Sequence, residues 1–132
     1  DLLLHHCDVK VDRFIDAYKG LPHMGLLQAS HDSDIERIKK ELNVKYCAMF
    51  NPMDLINHDT EQLEKDVERA VQLGSAEIDL WNISPECSPE KLRGIFSSIT
   101  NIGKRNNIKI NFDTIPFCWD ELEWAFPKYQ IG

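Results

Sequence analysis

At 132 residues, with 42% hydrophobic and 28% charged side chains, the chain has the size and composition of one globular domain able to bury a core. Twenty-two acidic against fifteen basic residues give a net charge of −7, and the scattered Lys and Arg argue against nucleic acid as a partner. No uninterrupted apolar run approaches the roughly 20 residues of a membrane span, and no signal-peptide pattern is present, so a cytoplasmic protein is expected.

The opening Leu2-Leu-Leu reads as a strand that stops abruptly in His5, His6 and Cys7. Because a strand begins at once after Asp1, with no Met and no lead-in, a longer polypeptide is expected. Val11, Phe14, Ile15 and Tyr18 recur at helical spacing, and Gly20 with Pro22 stops that short helix. Met24 to Gln28 is a second strand. Ser30 to Asp34 offers N-caps for a helix with Ile35, Ile38 and Leu42 inward, ended by Asn43. Tyr46 to Phe50 is a third strand, apolar enough to be buried on both faces and closed by Asn51-Pro52, after which a polar loop is expected. Asp59 or Thr60 caps the next helix, with Leu63, Val67, Ala70 and Val71 inward and Gly74 at its end.

Ala76 to Trp81 is the fourth strand, and Ser88-Pro89-Glu90 opens a helix with the inner stripe Leu92, Ile95, Phe96, Ile99 and Ile102. Ile108 to Phe112 is the fifth strand, followed by a short helix from Trp119 to Phe126. Strand and helix alternate with connections long enough for right-handed crossovers, which predicts parallel strands in a single α/β domain over 1–132. Two architectures satisfy this pattern. One is the C-terminal half of a TIM-type (β/α)₈ barrel; the other is a five-stranded, doubly wound flavodoxin-like sheet.

In both, functional groups gather at strand C-terminal ends. There the chain offers His5 and Cys7, then Gln28 and His31, then Asn51, and finally Trp81, Asn82 and Cys87. His5 and Cys7 share a strand face, opposite to His6, and Cys87 is brought to the same edge. One imidazole and two thiolates with an open fourth position form the donor set of a catalytic zinc, on which a third thiol could be held ionised near neutral pH. Gln28, His31, Asn51, Trp81 and Asn82 are candidate pocket residues around it. Cys47 reads as core, since Cys often packs as a small hydrophobe, and Cys118 as an aromatic-packed thiol or reserve ligand. Widely spaced cysteines in a chain of this size read as thiols or metal ligands, not disulfides. His23 and His58 read as solvated.

The run Leu3-Leu-His-His-Cys-Asp8 resembles the His-x-Cys strand of the uroporphyrinogen decarboxylase and zinc methyltransferase superfamily, and Ser84-Pro-Glu-Cys87 resembles its later zinc-cysteine segment. Helix signals at 12–18, 35–42 and 60–74 fit successive helices of that barrel's C-terminal half, so the likeness covers roughly residues 2 to 102. The resemblance implies zinc held by His5, Cys7 and Cys87, a thiol acceptor, and a corrinoid as methyl donor, as in the methylcobamide:coenzyme M methyltransferases. Its implied partners are a small thiol or a corrinoid protein, together with the missing barrel half or a second copy. Two other functions stay open: a metal-free uroporphyrinogen decarboxylase-like enzyme, and a non-catalytic flavodoxin-like binding module.

Overall fold

The structure is a computed structural model that describes residues 2–6, 10–81 and 86–113, with only the backbone of Trp81, Phe112 and Asp113. The expected helix at 119–126, together with Cys7, Asn82 and Cys118, lies outside the described residues. Eleven elements follow in order: β1 (Leu2–His5), a 3₁₀ turn (Asp12–Phe14), α1 (Ile15–Tyr18), β2 (Met24–Ser30), α2 (Ile35–Leu42), β3 (Lys45–Phe50), α3 (Pro52–Asn57), α4 (Thr60–Gln72), β4 (Glu77–Trp81), α5 (Pro89–Asn106) and β5 (Lys109–Asp113).

The longer helices begin and end on local chemistry. Asp34 accepts from the Arg37 amide at 3.0 Å, Asp59 from Gln62 at 2.8 Å and Ser88 from Lys91 at 3.2 Å, each satisfying an N–H that the first turn leaves without an intrahelical partner. Asn43 and Asn107 end α2 and α5 in the left-handed region, at φ 48° and 52°. Helix α3 replaces the polar loop expected after β3. Asn51 accepts from the amides of Met53 and Asp54, while Asp54 accepts in return from the Asn51 amide at 2.9 Å. Pro52 at the first helical position has no N–H to lose, and Leu55 anchors the turn in the core. Asn-Pro therefore closes the strand and opens a helix at once.

All five strands are parallel and lie in the order β1-β2-β3-β4-β5. A doubly wound sheet reverses its order at a switch point and carries helices on both faces. Among the described strands the order has no such reversal. Leu27, Ala29, Tyr46, Ala48, Phe50, Ile78 and Leu80 alternate along the strands and are buried in one cluster with Ile15, Ile38, Leu55, Val67 and Ile99 of the helices. That cluster assigns one sheet face to the helices. The other face carries His5, Gln28, Ser30, Cys47, Met49, Glu77, Asp79 and Asn111, aligned by the pairs His5 with Gln28, Gln28 with Cys47, Cys47 with Glu77, and Met49 with Asp79. Among the described residues, no helix is long and apolar enough to cross a membrane.

Two glycines of α5 differ in what surrounds them. A Cβ at Gly103 would lie 2.5 Å from Ile110 Cγ1 and 3.0 Å from the Ile108 carbonyl, whereas one at Gly94 would meet the Thr60 side chain at 3.7 Å, an ordinary contact. Gly103→Ala should therefore destabilise by about 1–3 kcal/mol through overpacking, and Gly94→Ala should stabilise by up to about 1 kcal/mol through helix propensity. Urea denaturation midpoints of the two variants should move in opposite directions; a rise for Gly103→Ala would contradict this packing.

Candidate functional site

The sheet face opposite the described helices carries a chain of polar contacts that crosses four strands. His5, the last residue of β1, places Nδ1 2.7 Å from Gln28 Oε1 on β2. Gln28 in turn donates from Nε2 to the carboxylate of Asp79 on β4. Asp79 is 4% exposed, and its carboxylate lies over β3 beside Cys47 and Met49. A carboxylate this deep in a sheet is retained only with hydrogen-bond partners, since an unpaired buried charge is costly.

Neighbouring charges on the same face are also paired. Glu77 accepts from Asn111 Nδ2 at 3.0 Å and lies 3.7 Å from Lys109 Nζ. Burial pushes the Cys47 thiol up to about 12, with the charges of Asp79 and Glu77 adding to the effect. At neutral pH Cys47 is therefore a protonated, 1% exposed thiol, in keeping with the core role read from the sequence.

The residues expected at the strand ends separate into three groups. Gln28 joins His5 directly. His31 follows β2, packs flat on Phe50 with ring centroids 4.1 Å apart, and sets Nε2 3.4 Å from Asp54 Oδ2. Burial works to raise the Asp54 pKa, but the His31 contact and the Asn51 amide outweigh it and hold the carboxyl below its usual value. Asn51 is occupied as the cap of α3. Cys87 is 5% exposed, belongs to the helix-side core, and directs its thiol at the Leu55 carbonyl of α3, 3.5 Å away. His5 and Cys87 thus lie on opposite faces of the sheet. Cys7, Asn82 and the Trp81 side chain lie outside the described residues.

His6 packs against Phe14 at 4.9 Å and faces the helix layer, as expected from its strand parity. His58 sets Nδ1 3.4 Å from Asp66 and is partly exposed.

Among the described residues, no group of three or more His, Cys, Asp and Glu side chains gathers at metal-binding spacing. The donor chemistry fits zinc best at His5. A metal-bound imidazole characteristically gives its second nitrogen to a carbonyl or carboxylate, and His5 Nδ1 meets an amide oxygen in that way. Cys87, turned to Leu55, is not presented to His5. Asp79 and Asp54 are the contributors that sequence reasoning missed. The signal for Asp79 was an acid at an alternate position inside the apolar strand Ile78-Asp79-Leu80; Asp54 was hidden because α3 itself was not expected. A groove of about 590 Å³ lined by Gly103, Lys104, Asn107 and Ile108 lies at the other end of the sheet, at the start of β5, remote from these groups.

With its thiol pushed up to about 12, Cys47 is ionised in only about one molecule in ten thousand at pH 8. Iodoacetamide at that pH should leave Cys47 intact in the native protein and label it in denaturant, as read by peptide mass mapping. Native labelling at the denatured rate would contradict its burial. Compared with known families, curated proteins and solved structures, the chain matches none.

Proposed function

We propose that this chain is part of a (β/α)₈-type barrel enzyme of the zinc methyltransferase kind, with the sheet face opposite the described helices as the barrel interior. The observation that carries this reading is the sheet itself. Strictly sequential parallel strands with helices on one face are the arrangement of consecutive barrel units, and His5 ends its strand on the other face, at the C-terminal edge where barrel enzymes keep their chemistry. The outer described strands β1 and β5 would be paired by further strands, from additional chain or a second copy.

The residues proposed to hold zinc are His5 and Cys7, with Cys87 as a third ligand brought in from the helix-side core where the structure places it. When bound, zinc in such a site lowers the pKa of a thiol acceptor and keeps it as a thiolate for attack on a methyl group. Gln28 fixes the His5 ring for this task through the 2.7 Å contact at Nδ1. To reach the metal Cys87 would have to leave the helix-side core as well as its contact with the Leu55 carbonyl. A small thiol is the proposed acceptor, and a corrinoid carried by a partner protein the proposed donor. The decarboxylase-like alternative has less support. At the C-terminal half of the sheet face opposite the helices the described strand residues include Gln28, Ser30 and Asp79 but no Lys or Arg to receive a polycarboxylate tetrapyrrole; Lys45 and Lys109 begin their strands at the opposite end.

Zinc content of the purified chain tests the reading. Near one equivalent is expected in the wild type, with loss in His5→Ala, Cys7→Ser and Cys87→Ala. Zinc retained by Cys87→Ala would remove Cys87 from the set, and a wild-type chain that binds no zinc but decarboxylates a porphyrinogen would replace the reading with its alternative.

A further inference from the structure

We infer that Asp79 is a positioning residue that, acting through the Gln28 amide, locks His5 in the tautomer protonated at Nδ1. The argument rests on hydrogen-bond polarity. Gln28 turns its NH₂ to Asp79, donating from Nε2 to the carboxyl oxygen. The same amide must then present Oε1 to His5, and a carbonyl oxygen also only accepts. The proton on that contact therefore belongs to His5 Nδ1, which leaves Nε2 as the lone-pair nitrogen of the neutral ring.

Burial makes the lock firm. Asp79 is 4% exposed, so water does not compete for its oxygens as it would at a surface. Strand geometry also explains why the middle member is Gln. Gln28 pairs with Cys47 and Asp79 with Met49, so the two side chains meet across β3, over a gap of about two strand spacings, or roughly 9–10 Å. The shorter Asn at 28 would not bridge it.

The lock does not depend on zinc; its consequence for zinc rests on the proposed function. A carboxylate linked through an amide to the far nitrogen raises the donor strength of Nε2 and fixes its direction, and outer partners of this type are worth about 10–100-fold in metal affinity. The role of Asp79 is distinct from that of a ligand: Gln28 links its carboxylate to His5.

Two readouts on the purified chain separate the lock from the metal. In the metal-free protein, long-range ¹H–¹⁵N correlation spectra should show His5 protonated at Nδ1. Asp79→Asn, whose amide offers either a donor or an acceptor, and Gln28→Met, which removes the link, should each release the ring to a mixture or to the Nε2-protonated form. Glu77→Gln, on the same strand and face but paired with Asn111, should leave it unchanged. A wild-type ring protonated at Nε2, or variants indistinguishable from wild type, would overturn the lock. In zinc titrations the two relay variants should bind about 10–100-fold more weakly than wild type and Glu77→Gln. A shifted tautomer with unchanged affinity would overturn the coupling to zinc, and a wild type that does not bind zinc would sink the proposed function while the tautomer spectra still decide the lock.

Discussion

Each strand sends alternate side chains to opposite faces, and one of those faces is sealed. Leu27, Ala29, Tyr46, Ala48, Phe50, Ile78 and Leu80 share a single cluster with all the main helices, and each large member removed from water contributes about 1.5–3 kcal/mol. A slip of one residue in any strand would turn this apolar set outward, so register is set by burial. Everything on the second face inherits its position from that constraint. His5, Gln28 and Asp79 meet because Leu4, Leu27 and Ile78, their neighbours along the chain, are committed to the helices.

Polar ties reinforce the same layer. The buried Tyr46 hydroxyl reaches the carbonyls of Ala29 and Ser30 at 3.0 and 2.5 Å, at the end of β2 from which His31 emerges. Burial pushes its pKa up, so it remains a donor at every physiological pH. Ser75, placed just before β4, accepts from the Ala48 amide at 3.0 Å and contacts the carbonyl of Glu77 at 2.7 Å. It thereby carries the pairing of β3 into the start of the strand that holds Asp79. The site is thus supported on two sides by groups whose hydrogen bonds have no solvent competitor.

Much of this fold was legible in the sequence because the longer helices carry their own start residues. Asp34, Asp59 and Ser88 cap where expected, and Asn43 ends α2 as expected. Helix α3 escaped because Asn51-Pro52 satisfies two rules at once, terminating a strand and capping a helix, and periodicity over six residues cannot choose between them. The strand-end residues were legible as a group, yet their layer was not. Cys87 follows β4 by several residues, so strand parity says nothing about its direction, and the carbonyl left at Leu55 by the end of a short helix attracts its thiol. Asp79 was legible only in combination. Alone it is one acid in an apolar strand; its meaning comes from Gln28 lying across β3 on the same face, which needs the strand order.

The proposed zinc ion joins the His5 imidazole to cysteine thiolate at the C-terminal edge of the sheet. Zinc K-edge X-ray absorption of the zinc-loaded chain tests it most directly. Sulfur scatterers at about 2.3 Å together with nitrogen at about 2.0–2.1 Å are expected. A shell of oxygen and nitrogen alone, with no sulfur contribution, would contradict the proposal.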